Sequence, residues 1–575
     1  MLAINRKNVS FSRKTFWPLL VSSIVTALAG VVIELSDEIV VGSLVSENAL
    51  IAVSIVLPIY LFDLFLSGLI VVGSSLQFSR EIGKMNKKHA SEIFGQAVIL
   101  LAAIGIIYFT VCVLFKDVYL DYLGISQEVR IEVNEYWHYY KYGLLVLPIQ
   151  YLFELIVYED GDNVCASLGS IVLMVTRISL SIILGINLGV KGVGLAAVLS
   201  GSAQILVYCT HFFKKSNNLH FRWYLSWKEI RKIVALSLVD SIASLCLSLM
   251  SMTLNKFVIS VFSEEYIPIA VVCFAVCQIT IVLDAIGKAL TPMGEVYLGE
   301  KNFLAEHDLY IFSFGVSLVI GVLLQILVIL FSPLILKIYG IVDPETIELA
   351  RTCIIIMSFV NPFLSLNFLI SSQGLIIRKI PISVFIIVAG DFVFPMTCGL
   401  LFGYLFSFVH IWIGFVIGGA LSTIAGAIIY KKCANKDTLI KEIQGDRQIL
   451  NKSFIVKEEN IKEVQNTIIN FLDNFDVPDN ELNKIDLLIE EYILTVVQNN
   501  PNKEVIGECS IVYSQDAVNM YLRDSGKLID WSDEDIKITG LSSYVFTRLT
   551  SSVDNIRYVV TSNYNRILFR FSKQD

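Results

Sequence analysis

The feature that most constrains this chain is a series of long apolar runs that recurs from its start to about residue 432. Each run is close to the roughly 20 apolar residues that a helix needs to cross a bilayer. Hydrophobic residues make up 55% of the 575 positions and charged residues 17%, which excludes a soluble protein of this length. The runs predict an all-α polytopic membrane domain with twelve spans, at 16–43, 49–78, 91–115, 133–158, 164–187, 192–213, 232–262, 268–296, 306–332, 346–372, 379–405 and 408–431.

The last part of the chain has a different composition. From about Asn451 it is charged and amphipathic, it holds no spanning segment, and its length of about 125 residues is enough for a core of its own. A polar linker, 435–450, precedes it. Helical and alternating patterns predict a mixed α/β domain with one sheet backed by helices. The predicted strands are 452–456, 510–513, 517–522, 555–560 and 566–571, and the predicted helices are 460–475, 480–500 and 542–549.

Lysine and arginine gather on one side of the predicted spans. They occur before span one, after span two, after span six and after span twelve, always an even number of spans apart. Because loops rich in lysine and arginine stay in the cytoplasm, both termini and the C-terminal domain are predicted to be cytoplasmic. The chain is expected to be a multi-pass protein of the plasma (inner) membrane, with the lipid bilayer as its first partner.

A weak internal repeat relates the two halves of the membrane domain. The segment around Pro148 resembles the segment around Pro362, and each is followed by a polar turn that contains glycine. The period of about 215 residues gives six spans to each half, so 1–215 and 216–434 are predicted to form two parallel lobes. Substrate sites in such folds lie between the halves, near mid-membrane.

Four carboxyl groups inside the apolar spans are candidate functional groups. Glu34, Asp37 and Glu38 are three or four positions apart, so they share one face of the first helix. Asp63 lies deeper in the second span and has no partner within its own helix. A charge at membrane depth costs at least about 2–3 kcal/mol, so such residues usually face a cavity. Two interpretations stay open: a cation or proton site of a transporter, or a helix end whose acids reach the headgroups.

Three motifs of the membrane domain resemble the multidrug and toxic compound extrusion (MATE) family of transporters. They are Asp37-x-x-x-x-Gly42 followed by Ala49 and Ala52, the turn EDGDN at 159–163, and the glycine-rich stretch LGVKGVGLA at 188–196. The resemblance covers the whole membrane domain. It implies a two-lobed, V-shaped antiporter that expels small, often cationic organic compounds in exchange for protons or sodium.

The fifth span departs from the family pattern. Many family members carry an Asn there and an Asp four residues on, whereas this chain reads TRISLS at 176–181. Arg177 stays charged at any ordinary pH and could pair with Asp37 or Glu34, either as a fixed replacement for the coupling cation or as an ion pair that holds helices together. Alignment of the two halves places Arg177 opposite Asp391 in span eleven, which predicts that both line the central cavity.

Four motifs of the C-terminal domain resemble the histidine-kinase-like (GHKL) ATPase fold in its anti-sigma-factor-kinase form. They are LLIEE at 487–491 followed by Asn499, RDSG at 523–526, GLS at 540–542 leading to Arg548, and NRILF at 565–569. The resemblance implies an α/β sandwich in which the D-x-G motif reads adenine.

The nucleotide site that this resemblance implies is degenerate. With Glu491 as the general base, Thr495 stands where the family has its magnesium-binding Asn. Asp524 and Gly526, at the adenine end, persist, and the lid keeps Gly540 but has Ser in place of its second glycine. ATP turnover is therefore expected to be weak or absent. Nucleotide sensing, or docking of a cytoplasmic regulatory protein, stays open.

The sequence thus predicts a secondary active efflux transporter with a cytoplasmic regulatory domain, and not an enzyme. One alternative is a lipid-linked precursor flippase of the same superfamily, which needs basic residues in its cavity for pyrophosphate; the spans offer few, Arg177, Lys256 and Lys288. Another is a membrane-anchored kinase or anti-sigma switch, against which the altered ATPase motif argues. A primary ATP-driven pump is excluded because no G-x-x-x-x-G-K-[ST] loop occurs.

The expected ligands follow from the same residues. Small organic substrates and coupling protons or sodium are predicted for the membrane domain, and ATP is the one cofactor that the C-terminal domain could bind. The ten cysteines show no spacing typical of zinc or of disulfides. No metal site, catalytic set or nucleic-acid partner is predicted.

Overall fold

The structure is a computed structural model of the chain and describes most of residues 10–572. Inside that range, the residues that it does not describe are 84–86, 161, 215–219, 342, 378, 437–447, 476, 502, 515–516, 528–554 and 561–563. Gly540 and the predicted helix 542–549 lie outside the described residues.

Long helices occupy the first seven predicted spans. They are α1 (Phe11–Leu44), α2 (Glu47–Gly83), α3 (Lys87–Leu123), α4 (Gln127–Tyr140), α5 (Gly143–Glu159), α6 (Asn163–Leu188), α7 (Val190–Cys209) and α8 (Trp227–Val261). Predicted span four consists of α4 and α5, which bend by 48° at the break between them. A helix suits these runs because it satisfies every backbone hydrogen bond within the segment, as lipid requires.

The remaining predicted spans are helical too, and three of them are built from consecutive shorter helices. The helices are α9 (Ile267–Ile279), α10 (Asp284–Glu300), α11 (Phe303–Ile338), α12 (Pro344–Ser358), α13 (Asn361–Ile376), α14 (Ile380–Val388), α15 (Phe394–Leu405) and α16 (Phe408–Lys436). One turn of 3-10 helix joins α9 to α10, and one π-helical turn, Ala389–Val393, joins α14 to α15.

The prediction of a helical membrane domain is confirmed. Among the described residues, ten helical segments are long and apolar enough to cross a membrane, and the bent α4–α5 pair makes an eleventh. Helix α1, whose side chains are described only in part, covers the predicted first span with 34 residues. The count of twelve spans in two six-helix lobes stays a prediction.

The chain divides into two compact units. The membrane unit comprises Ile24–Ala285 and Ser317–Ile429, and the tail unit comprises Met1–Ser23, Ile286–Val316 and Tyr430–Asp575. The tail unit thus contains end segments of α1, α11 and α16 and nearly all of α10, besides the C-terminal domain. The predicted boundaries at 215, 434 and 450 stay predictions, although the first strand already begins at Gln448.

The C-terminal domain is built on one antiparallel sheet of five strands. They are β1 (Gln448–Ile455), β2 (Ile506–Tyr513), β3 (Ala517–Asp524), β4 (Asn555–Val560) and β5 (Asn565–Ser572), in the order β1-β2-β3-β5-β4. Between β1 and β2 the chain forms α17 (Ile461–Leu472) and α18 (Asp479–Asn499). All five predicted strands occur, and most extend beyond their predicted ends.

The two faces of this sheet differ. Alternate residues such as Cys509, Met520 and Phe569 meet Ile468 and Leu488 of the two helices in one buried apolar core. Because neighbouring residues of a strand point to opposite faces, the residues between them face the other way. They include Glu508, Ser510 and Arg523, which are polar and nevertheless buried.

Candidate functional site

A small buried pocket lies among α1, α2, α4, α5 and α6 of the membrane unit. Its volume is about 80 Å³, room for two or three water molecules at about 30 Å³ each. Its polar and aromatic lining consists of Asp37, Glu38, Tyr60, Tyr136, Tyr140, Gln150 and Arg177. In this conformation the pocket fits water or one end of a small molecule.

Arg177 of α6 binds Asp37 of α1 through both oxygens of the carboxylate. Its Nε donates to Oδ1 at 3.0 Å, and a terminal nitrogen donates to Oδ2 at 2.6 Å. Ser181 donates to Oδ1 at 3.2 Å and Tyr136 donates to Oδ2 at 3.3 Å. A forked arginine–carboxylate pair is among the strongest hydrogen-bonded pairs in proteins. Asp37 therefore has its charge and its acceptor sites satisfied without a bound cation.

Of the other two carboxyl groups predicted on the first helix, Glu38 reaches the pocket. It is buried, lines the pocket beside Asp37, and accepts a hydrogen bond from the Tyr339 hydroxyl at 3.3 Å. The backbone of Glu34 is helical, but its side chain lies outside the described part of the structure.

Three tyrosines of the pocket were not singled out from the sequence. The rings of Tyr136 and Tyr140 stack with centroids 4.7 Å apart, and Tyr60 faces the same pocket. A signal was present, since Tyr136 and Tyr140 are four positions apart and therefore share one face of α4. Nothing in the sequence showed that this face turns towards Asp37.

Asp63 lies on α2 and is fully buried. Neither of its carboxylate oxygens has a hydrogen-bond partner among the described residues. Tyr108 and Cys112 of α3 lie within electrostatic range of it, and the Tyr108 hydroxyl donates to the carbonyl oxygen of Ile59 at 2.8 Å. Asp63 thus differs from Asp37, whose oxygens are all engaged.

Asp391 lies in the π-helical turn between α14 and α15. Such single π turns occur often at functional sites. Asp284, Cys246 and Cys277 are within electrostatic range of Asp391, and Asp391 does not belong to the described lining of the pocket that holds Arg177. The structure therefore does not bring Arg177 and Asp391 together in that pocket, because Arg177 turns to Asp37 instead.

The predicted EDGDN turn forms an ionic cluster where two of the spans end. The ring of His211 lies between Asp160, 2.8 Å from Nε2, and Asp162, 2.7 Å from Nδ1. Lys214 bonds Asp162 at 2.6 Å, and Asp162 also caps the start of α6 through the amide of Cys165. Although burial acts to raise it, hydrogen bonds from Lys214 and His211 lower the pKa of Asp162 to about 2. The cluster joins the start of α6 to the end of α7.

Four of the positions predicted for a degenerate nucleotide site, Glu491, Thr495, Asp524 and Gly526, lie in the described part of the C-terminal domain, but they are not arranged for magnesium. The Thr495 hydroxyl donates to the carbonyl oxygen of Glu491 in its own helix at 2.7 Å. Burial, and then the neighbouring Glu490, raise the pKa of Glu491. The threonine hydroxyl is thus engaged with α18, and the residues present do not fit a magnesium ion.

Asp524, predicted at the adenine end, is already fully engaged. It accepts hydrogen bonds from the Tyr492 hydroxyl at 2.7 Å, the Asn565 amide at 3.0 Å and the Gly526 backbone at 2.8 Å. Burial raises its pKa, and these hydrogen bonds act to lower it. A Cβ added at Gly526 would lie 2.6 Å from Nδ2 of Asn500, so the turn is tightly filled. Adenine would have to displace Tyr492 or Asn565.

A fully buried arginine, Arg523, lies in the tail unit, on the polar face of the sheet. Arg523 contacts the carboxylates of Glu508 on β2 and Glu300 at the end of α10, and all three side chains are buried. Arg566 forms an ion pair with Glu300 at 2.8 Å, and the Tyr297 hydroxyl donates to Glu508 at 2.9 Å. Burial lowers the pKa of Arg523 to about 10, which leaves it charged at neutral pH. We call these five residues the Arg523 clamp.

The corner between α10 and α11 is shaped to meet this face. Lys301 has a φ of 62°, a left-handed conformation that is uncommon outside glycine, and it reverses the chain directly after Glu300. Asn302 then donates to the Ser510 hydroxyl at 3.0 Å. At the start of α1, the backbone of Phe11 donates to Ser453 of β1 at 3.1 Å. The sheet is therefore held by polar contacts on this face and by apolar contacts on the other.

Comparison with known proteins supplies the family context. The family model described as MatE matches residues 22–183 and 241–396, more than half of the chain. A probable multidrug resistance protein, YoeA of Bacillus subtilis, is 23% identical over 59% of this chain and 75% of its own length. The multidrug export protein MepA of Staphylococcus aureus is 24% identical over 35% of this chain, and the match spans 44% of its length.

Solved structures share the fold of the membrane helices. An inward-facing multidrug resistance MATE transporter of the MOP superfamily aligns with a TM-score of 0.63 and 19% identity, over 71% of this chain and 95% of its own. A MOP superfamily transporter from Pyrococcus furiosus, described as having a binding pocket of reverse polarity that suggests a different function, aligns with a TM-score of 0.61 and 19% identity, over 74% and 97%. At this identity the similarity shows the fold alone.

Proposed function

Because the chain belongs to the MatE family of membrane transporters, we propose that it exports small organic cations by secondary active antiport. Two relatives that are named for multidrug export and multidrug resistance support this function. The observation that carries it is the pocket, where Glu38 and three tyrosines lie beside an arginine–aspartate pair. MATE transporters move their substrates unchanged, so the protein is not an enzyme.

The lining of the pocket favours a cationic substrate. Asp37 and Arg177 cancel each other's charge, which leaves Glu38 as the acidic group of the described lining. Tyrosine faces attract organic cations by about 0.5–2 kcal/mol each. A volume of about 80 Å³ is far below the roughly 300 Å³ of a typical ligand pocket, so the helices must separate before a whole substrate can bind.

We propose protons as the coupling ion. Sodium needs several oxygen ligands, and those of Asp37 are already bound by Arg177, Ser181 and Tyr136. A buried carboxyl group whose oxygens have no hydrogen-bond partner among the described residues, such as that of Asp63, can instead bind and release a proton. The single basic residue in the described lining, Arg177, is engaged as well, which counts against a pocket for the pyrophosphate of a lipid-linked precursor.

Export of a fluorescent cation such as ethidium from pump-deficient cells tests this function. Glu38→Gln is expected to lower the export rate at least fivefold, because it removes the acidic group while keeping its shape. Glu135→Gln, which changes an exposed acid on α4, is the matched control and should export normally. A proton uncoupler should stop export, whereas replacing sodium by potassium should not.

Three results would count against the proposal. Absence of ethidium export by the well-expressed wild type would argue for a different substrate class. Equal export by Glu38→Gln and the wild type would remove the pocket from the mechanism. Export that follows the sodium gradient and resists the uncoupler would replace protons by sodium.

We also propose that the C-terminal domain has the histidine-kinase-like fold and regulates transport without ATP turnover. The motif order and the sheet with helices on one face support this fold. The engaged side chains of Thr495 and Asp524 support loss of catalysis. The Arg523 clamp supports regulation, because it attaches the domain to the end of α10, a helix that begins within the apolar segments.

Transport in liposomes tests the regulatory role. Glu300→Gln, which keeps shape but removes one charge of the clamp, should change the ethidium transport rate at least threefold. Asp308→Asn, a change at an exposed acidic residue of the next helix, α11, should leave the rate unchanged. Equal rates for the wild type and Glu300→Gln would contradict regulation through the clamp. Turnover of added ATP by the purified full chain would contradict a catalytically inactive domain.

The proposed location is the plasma membrane, with both termini in the cytoplasm. The distribution of basic residues supports this orientation. A reporter enzyme that is active only in the cytoplasm should be active when it is fused after Asp575. Activity of a reporter that works only outside the cytoplasm would reverse the orientation.

A further inference from the structure

One face of α2 carries a series of buried polar side chains. Successive residues of a helix are about 100° apart, so Asp63, Ser67, Ser74 and Gln77 fall within an arc of about 80°. Asp63, Ser67 and Ser74 are fully buried, and Gln77 is 7% exposed. Among the described residues, no hydrogen-bond partner meets the side-chain oxygens of these four. We call this series the α2 polar face.

The same face of α2 leads to the pocket. Val56 lies within this arc and Tyr60 about 20° beside it. Both line the pocket, and Asp63 follows Tyr60 about 4.5 Å further along the helix axis. In the other direction, Gln77 lies about 21 Å beyond Asp63. It is close in sequence to the basic segment that contains Arg80, Lys84 and Lys87. The α2 polar face therefore extends from the pocket towards one end of the span.

The chemistry of buried polar groups indicates what this face does. A polar group buried without a protein partner usually binds internal water. An ionised carboxylate without a partner is far more costly to bury than a neutral carboxyl group. Titratable groups within electrostatic range of Asp63 include Tyr108 and Cys112 of α3 and Tyr140 of α4. None of them is a cation that could keep Asp63 ionised.

We propose that Asp63 is the group that binds the coupled proton, and that the α2 polar face leads water to it from the Gln77 end of the helix. This rests on the proton coupling proposed above and adds the residue and the route. Asp37 stays bound to Arg177, while Asp63 exchanges its proton with water.

The route has one apolar break. Ile70 lies on the same arc between Ser67 and Ser74 and is 4% exposed, so about 10 Å of helix separates the two hydroxyls. Water crosses this break only when the Ile70 side chain moves. The break prevents a continuous proton leak, which an antiporter must avoid.

The first test asks whether Asp63 holds a proton. Infrared difference spectra of the full chain in liposomes at pH 7 should show a protonated-carboxyl band that is absent in Asp63→Asn. Because the asparagine is also neutral and similar in shape, the variant should fold and bind ethidium as the wild type does. It should lose at least nine-tenths of the proton movement that accompanies ethidium.

The outcomes separate the inference from the proposed function. If the wild type exports ethidium without moving protons, proton coupling fails and the role of Asp63 fails with it. If the wild type couples to protons and Asp63→Asn couples equally well, or keeps the carboxyl band, the assignment to Asp63 alone is overturned. A large loss of thermal stability in Asp63→Asn would also overturn it, since it would show that the carboxyl group has a partner.

The second test addresses the route. Replacement of Ser74 or Gln77 by a residue without a polar side chain, as in Ser74→Ala and Gln77→Leu, should slow hydrogen–deuterium exchange of the Asp63 carboxyl at least tenfold. Ser75→Ala is the matched control, because Ser75 lies off this face and bonds its own helix at the carbonyl oxygen of Val72. Equal exchange rates in all three variants would exclude this path.

Discussion

Two arginines of this protein bind carboxylates in different surroundings. Arg177 binds one aspartate, keeps 18% of its side-chain surface exposed, and lies on the wall of a pocket. Arg523 contacts Glu300 and Glu508, and its side chain is completely buried. The first pair has space beside it that a ligand can enter, whereas the second is enclosed by protein on all sides.

This difference separates an ion pair suited to binding from one suited to attachment. A buried ion pair adds little stability compared with apolar residues of the same volume, but removal of one partner is costly. The Arg523 clamp therefore makes the attachment of the sheet to α10 specific. The pair at Arg177 instead lies on the wall of a pocket, beside the tyrosines and Glu38 that line it.

The largest effect is expected from Arg523→Ala. It leaves two buried carboxylates, Glu300 and Glu508, with Arg566 as the one cation of the clamp, and removal of one partner of a buried ion pair costs about 3–5 kcal/mol. Thermal unfolding and hydrogen exchange of β3 and of the α10–α11 corner would measure the loss. Lys452→Ala, which breaks an ion pair with Glu463 on the surface, is the control and should cost less than about 1 kcal/mol.

A combined variant sharpens this prediction. Replacing Arg523 by Met together with Glu300→Gln and Glu508→Gln removes all the charge at once, so most of the lost stability should return. If Arg523→Ala costs no more than the surface control, Arg523 does not hold the sheet, and the contrast between the two arginines disappears.

A smaller loss of stability but a larger loss of export is expected from Arg177→Ala. Asp37 would keep its hydrogen bonds from Ser181 and Tyr136 and has water-sized space beside it, so the cost should be about 1–3 kcal/mol. Ethidium export should fall at least tenfold. Arg177→Lys keeps the charge without the forked geometry and should recover part of the export. Normal export by Arg177→Ala would reduce this pair to a structural contact.

The sequence was sufficient to predict most of the fold. Long apolar runs can form only helices in lipid, which is why every predicted span after the first matches a segment in the described structure. The breaks were not predicted, because the bend between α4 and α5 and the π turn at Ala389 depend on packing. The strands extend beyond their predicted ends because the second face of the sheet is also buried and carries polar residues such as Glu508. These residues interrupt the alternation of apolar and polar positions from which the strand ends were predicted.

The site was predicted only in part. Charge at membrane depth identified Asp37, Arg177 and Asp63, but the sequence could not decide whether Arg177 pairs with Asp37 or Glu34. It also assigned Arg523 to a nucleotide motif, although strand alternation turns Arg523 away from the face of Asp524. The partner of Arg523 is 223 positions away, at Glu300, and such distant contacts leave no local pattern.

The smallest effect is expected at the ionic cluster of the EDGDN turn, which is neither enclosed like Arg523 nor beside a pocket like Arg177. Interactions with Lys214 and His211 lower the pKa of Asp162 to about 2, below the value of about 3.9 expected in the unfolded chain. Its contribution to stability is therefore fully present above about pH 4 and is lost as the pH falls through about 2. Because Lys214 is 42% exposed, solvent screening limits the contribution to about 1 kcal/mol.

Asp162→Asn should lower the unfolding temperature at pH 7, and the difference in unfolding temperature between this variant and the wild type should shrink by pH 3. The control Asp117→Asn, on an acid that is 66% exposed, should show no measurable change at either pH. A difference between Asp162→Asn and the wild type that stays constant down to pH 2 would show that the lost hydrogen bonds, and not the charge, account for the effect.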